Sequence, residues 1–123
     1  MRNVWIAVAG AAGAVSRYQI EGAVSRFTRD AFPWGTLVVN LSGCFVLGLV
    51  FSLLTERFLP HPDLRVAVTI GFLGAYTTFS TFAFESLRLG QDGATGLATM
   101  NVVLSVGGGI VAAWLGTVAA RAF

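Results

Sequence analysis

Four hydroxyl side chains, Thr77, Thr78, Ser80 and Thr81, fall within five positions of an otherwise apolar stretch, GFLGAYTTFSTFAFE, running from Gly71 to Glu85. A single Ser or Thr in an apolar helix bonds the carbonyl one turn back and leaves the helix whole. Four together, preceded by Gly71 and Gly74, point to a broken helix instead. A break frees backbone carbonyls at membrane depth, where they persist only if buried in protein, bound to an ion or facing a wet cavity. Phe79 and Phe82 are three apart and share a helical face. They either pack and face lipid, or they use the ring quadrupole, whose electropositive edge suits an anion and whose face suits a cation. In the second case Ser80 and Thr81 supply hydroxyl donors beside those edges.

Other polar residues stand in apolar surroundings. Asn40 lies inside a second apolar block. A buried amide must find partners, so Asn40 either glues helices together or offers its NH2 group to a pore. Asn101 and Ser105, four apart on one helical face, either extend such a lining or lock helices. Arg17 and Glu21, also four apart, form either a surface pair worth little or, through Arg17, a positive vestibule that gathers anions. Glu85 closes the hydroxyl-rich stretch, where it caps or orients a pore hydroxyl; charges within a span carry a functional hypothesis by default. Nothing has the arrangement of covalent catalysis, so no enzyme is expected. His61, the sole histidine, sits between Pro60 and Pro62 and reads as a solvated turn residue. Cys44, the sole cysteine, excludes an intrachain disulfide and reads as an inert buried thiol.

The elements that must position these groups follow from composition. The 123 residues suggest one domain, 1–123, and they are 55% hydrophobic but only 11% charged. A soluble surface usually needs about 25% charged residues, so the solvent is lipid. Four apolar blocks, about Val4–Val24, Thr36–Leu54, Val66–Leu87 and Ala94–Ala120, each reach the roughly 20 residues of a spanning helix. The breaks RFTRDAFPWG, TERFLPHPDLR and RLGQDG carry turn chemistry. Phe32 and Trp34 beside Pro33 suit an interfacial anchor. The small-residue run Ala9–Ala14 resembles a cleavage region, but the segment is read as a retained span. Glycines recur in every block and allow close helix packing.

Orientation is nearly undetermined by charge. With four spans, Arg2, Arg57, Arg65 and Arg121 fall on one side; Arg17, Arg26, Arg29 and Arg88 fall on or toward the other. There is no lysine, and the scattered arginines form no stripe for nucleic acid. The positive-inside rule has almost nothing to act on, which permits insertion both ways up and an antiparallel dimer.

Three segments, GAAGAVSRY (10–18), WGTLVVNLSG (34–43) and GFLGAYTTFSTFAFE (71–85), together resemble the Fluc (CrcB-type) fluoride channel family. The resemblance implies an all-α integral membrane protein with four transmembrane helices, a broken third helix and an antiparallel dual-topology homodimer in a bacterial plasma membrane. It implies two pores through which cytoplasmic fluoride leaves passively. Asn40, Phe79, Ser80, Thr81, Phe82 and Ser105 match the family's pore positions, and Arg17 matches its vestibule arginine. Gly74 and Thr77 match the positions whose backbone carbonyls hold a structural central Na+. One turn beyond Ser105, where a second hydroxyl can occur, this chain has Gly109. The alternative is a small dual-topology proton-coupled exporter, which needs a carboxylate deep in a span; Glu21 is the only first-span candidate and lies near the end.

Overall fold

The computed structural model describes residues 1–58 and 61–123. Leu59 and Pro60, within the second expected break, lie outside the described residues. Everything regular among the described residues is helical. Helix α1 spans Arg2–Phe27. Helix α2 spans Trp34–Ser52 and runs on through a π-helical turn, Leu53–Arg57. A short α3, Pro62–Val66, starts on His61, whose Nδ1 accepts from the Asp63 amide. It widens into a π-helical stretch, Ala67–Leu73, and ends in the single turn α4, Gly74–Tyr76. Helix α5 covers Phe79–Gln91 and α6 covers Thr95–Ala120. Gly93, at φ +80°, makes the turn between the last two; a side chain would be strained there.

Three helical runs combine the length and apolar content needed to cross a membrane: Trp34–Arg57, Pro62–Gln91 and Thr95–Ala120. The chain is a multi-pass membrane protein. Helix α1 has 26 residues, about 39 Å at 1.5 Å per residue, so its length suffices. It is rich in alanine and glycine and carries Arg17, Gln19 and Glu21, and it falls short of the apolar content of the other three.

Packing relies on bare backbone. A Cβ on Gly48 would run into the Ala113 carbonyl, and one on Gly116 into the Phe45 carbonyl, so α2 and α6 touch along glycines. Helix α1 meets the π-helical stretch in the same way: Gly13 faces the Phe72 carbonyl and Gly71 faces Ile6. In lipid, where apolar side chains gain little by leaving the solvent, such close approach supplies the cohesion. The first connection departs from expectation. Phe32 is buried, 5% exposed, with its ring 4.6 Å from that of Trp34, so it is a packing residue and not an exposed anchor.

Candidate functional site

The third apolar run breaks at Thr77 and Thr78, both extended (φ −83°, ψ 158° and φ −147°, ψ 116°). Hydrogen bonds show how the break is held. In a continuous helix the Thr78 N–H would close on the Gly74 carbonyl. Here it donates to Asn40 Oδ1 at 2.8 Å, while Asn40 Nδ2 donates to the Thr78 carbonyl at 2.9 Å. The Thr81 N–H, which would close on the Thr77 carbonyl, donates to Thr78 Oγ1 at 3.3 Å. Thr78 thus caps α5, and its hydroxyl donates in turn to Thr81 Oγ1 at 3.0 Å. The carbonyls of Gly74 and Thr77 both lose their regular helical donors. Thr77 itself folds back, its N–H and hydroxyl both donating to the Leu73 carbonyl at 3.1 and 3.0 Å.

The cap satisfies the third amide of α5. Those of Phe79 and Ser80 have no intrahelical acceptor. The half-helix therefore directs a positive end at the break.

Beside the break lies a cleft of about 470 Å³ between α2, α6 and the third run. Asn40, Gly74, Thr77, Phe79, Phe82 and Ser105 line it, whereas Ser80, Thr81 and Arg17 do not. The two phenylalanine rings meet edge-on, centroids 5.6 Å apart and planes at 62°. They differ in setting: Phe79 is 78% exposed and Phe82 only 8%. Cys44 and Gly109 also line the cleft, so the thiol expected to be sealed in packing is half-buried at its wall. Facing Gly109 is the Cys44 thiol, whose sulfur would lie 3.4 Å from a Cβ on that glycine.

Around the cleft runs a layer of polar contacts, of which spacing marked only the Asn101–Ser105 pair on one face of α6. Ser42 Oγ lies 2.9 Å from the Tyr76 hydroxyl, which ties α2 to the turn before the break. Asn101 is 1% exposed; its Nδ2 donates to Ser86 Oγ at 2.9 Å, and its Oδ1 accepts from Ser105 at 3.3 Å. It locks α5 to α6 while Ser105 lines the cleft. Thr36 donates to Glu85 Oε1 at 2.8 Å.

Of the two readings of Arg17 and Glu21, the surface pair does not form; the only ion pair among the described residues is Arg2–Asp63, at 2.8 Å. Glu21 turns instead toward α2 and shares a pocket of about 310 Å³ with Glu85, each leaving one buried carboxylate oxygen without a partner. The i,i+4 spacing allowed the pair, but the backbone of Glu21 is drawn against Gly35, where a Cβ would lie 3.1 Å from the Glu21 carbonyl oxygen.

Residues 4–117 match the sequence profile of the family described as CrcB-like protein, Camphor Resistance (CrcB). Curated relatives include the Fluoride-specific ion channel FluC of Magnetococcus marinus, 48% identical over 121 residues that cover 98% of both chains. The protein of the same name from Solibacter usitatus is 44% identical over 121 residues, covering 98% of this chain and 99% of the relative. That of Geobacter sulfurreducens is 47% identical over 116 residues, 94% of each.

Proposed function

The chain belongs to the CrcB-like family, and from that membership we propose that it is a fluoride-selective ion channel through which cytoplasmic fluoride leaves the cell down its gradient. The observation that carries this reading is the cleft beside the broken helix, with its edge-on phenylalanines, the Asn40 amide and the free first-turn amides of α5. Fluoride is small and strongly hydrated. A path for it must replace water with fixed donors, here N–H and O–H groups together with positive ring edges.

The finer assembly belongs to the same proposal. Four spans, α1 included, insert in both orientations because the arginines balance, and two antiparallel chains form a homodimer with two pores. The carbonyls of Gly74 and Thr77 face a central Na+ in that dimer. The donor set fits a hard cation: oxygen ligands only, released from helical bonding, with a second copy supplying the other pair. Gly74 is exposed, and a Cβ there would meet nothing nearer than the Thr69 carbonyl at 3.9 Å. That leaves this backbone open to a neighbour. Bound sodium would supply a positive charge that offsets unpaired carbonyls. The chain's own part is to hold those carbonyls in place through the Asn40–Thr78 pair.

The test is flux through purified protein in liposomes, comparing fluoride with chloride and following protons. Fluoride should pass without chloride and without a proton gradient. Transport that requires a proton gradient would favour the exporter, with Glu21 and Glu85 as its carboxylates.

A further inference from the structure

The α6 wall of the cleft has a second layer with a direction. The Ser105 hydroxyl donates to Asn101 Oδ1, Asn101 Nδ2 donates to Ser86 Oγ, and the Ser86 hydroxyl donates to the Phe82 carbonyl at 2.9 Å. Of these three side chains only Ser105 lines the cleft; Asn101 is sealed behind it at 1% exposure. A hydroxyl has a single hydrogen. In this direction the hydrogen of Ser105 points into the protein, and an arriving anion meets only lone pairs.

A half-turn of the Asn101 amide exchanges its oxygen and nitrogen. The chain then runs the other way. Ser86 donates to Oδ1, Nδ2 donates to Ser105 Oγ, and the Ser105 hydrogen is released toward the cleft. Both amide contacts survive the reversal. What is given up is the bond from Ser86 to the Phe82 carbonyl, which lies inside α5 and keeps its helical N–H partner. The forward contact from Ser105 is also long, at 3.3 Å, so little is lost when it turns.

We infer that Asn101 is a positioning residue for the anion: its amide flips to turn the Ser105 hydroxyl outward when fluoride arrives and inward when it leaves. The site so served favours an anion over water, because a charged acceptor holds that hydrogen more strongly than a neutral one. This rests on the reading of Ser105 as part of the fluoride path.

Fluoride flux and thermal melting of four proteins in liposomes test it: wild type, Asn101→Leu, Ser105→Ala and the double variant. Leucine keeps the size of the amide and removes its hydrogen bonds. Each single substitution should lower flux roughly fivefold, the worth of one hydrogen bond, and the double should be no slower than either single. Losses that multiply in the double variant overturn the relay and leave Asn101 a packing residue. A Ser105→Ala protein with wild-type flux overturns it too, yet leaves the channel reading standing on wild-type flux itself. If Asn101→Leu does not fold, the side-chain amides report directly, since the chain has only three asparagines (Asn3, Asn40 and Asn101) and two glutamines. Fluoride should shift the Asn101 NH2 resonances of 15N-labelled wild type and leave them in place in Ser105→Ala. An unmoved Asn101 signal in wild type ends the proposal.

Discussion

Helix α2 makes two kinds of contact, and the difference explains how the molecule holds a break inside a membrane. Along α6 it touches through glycine: Gly48 lies against the Ala113 carbonyl and Gly116 against the Phe45 carbonyl, backbone to backbone. Against the third run it touches through polar side chains: Asn40 grips Thr78 at both its N–H and its carbonyl, and Ser42 meets Tyr76 two residues earlier. The first contact has no adjustable part. The second replaces, with directed bonds, the helical bonds that the break gives up. One helix is thus both the rigid seam and the splint.

The seam should be the more fragile under substitution. Gly116→Ala places a methyl on the Phe45 carbonyl, against backbone that has no rotamer to yield. Overpacking of this kind costs about 1–3 kcal/mol or more. Folded protein recovered from membranes and its melting temperature should both fall sharply. A stable Gly116→Ala protein would show that α2 and α6 are less closely apposed.

Next in size is Gly74→Val. Within the chain this position has open space, with the Thr69 carbonyl at 3.9 Å the nearest contact. Any crowding by the new side chain must therefore come from outside the chain. The protomer should fold and insert while the proposed dimer fails to assemble, as read by crosslinking or by mass in detergent. A Gly74→Val protein that remains dimeric and keeps its sodium dependence would place the interface elsewhere.

The splint should fail more locally. Asn40→Ala takes the amide from the N–H and carbonyl of Thr78; both residues line the cleft, where water can replace it, so the cost stays at the low end of about 1–3 kcal/mol. The seam is untouched, so the helices stay assembled, but the carbonyls and cap of the break lose their register. Fluoride flux should fall by more than tenfold while helicity, measured by circular dichroism, is kept. Equal loss of helicity and flux would make Asn40 a general fold determinant.

The phenylalanines divide the same way. Replacing either with isoleucine keeps apolar bulk and removes the ring edge, so both variants should lose fluoride flux. Only Phe82→Ile should also lower the melting temperature, since Phe82 is 8% exposed and Phe79 is 78% exposed. Normal flux in both variants would remove the rings from the path.

Much of this was legible in the sequence, and the reasons are physical. Four hydroxyls behind two glycines marked the break because propensity and back-bonding act within a few residues. The third and fourth apolar blocks became helical runs within a few residues of their expected ends. Asn40 was legible as a buried amide in need of partners. Its partner, 38 residues away, was not, because a helical period gives the face of a residue but not how two helices are rotated and shifted against each other. Glu21 was lost for a related reason. Spacing allowed it a pair with Arg17, whereas packing against Gly35 sets it beside Glu85. Ser42, Tyr76 and Ser86 had no local signal beyond being polar near the apolar blocks.

The smallest effect belongs to Thr77, and it joins the two kinds of contact. Its hydroxyl donates to the Leu73 carbonyl at 3.0 Å, a bond serine can make equally. Its methyl occupies the notch left by Gly43, so closely that a Cβ on Gly43 would overlap Thr77 Cγ2. Thr77→Ser therefore loses one methyl contact, about 0.8 kcal/mol on the methylene scale. It keeps the carbonyl register, so flux and its sodium dependence should hardly change. Gly43→Ala alone should be far worse, because the methyl groups collide. Together the two substitutions should relieve each other. With Cγ2 gone, the nearest obstacle to the new methyl is the Tyr76 ring at 3.2 Å, a tight contact that a small ring shift can absorb. Melting temperatures of the two singles and the double measure this directly. A double variant no more stable than Gly43→Ala would mean that the new methyl collides with the Tyr76 ring, and that Ser42 holds that ring too firmly to move.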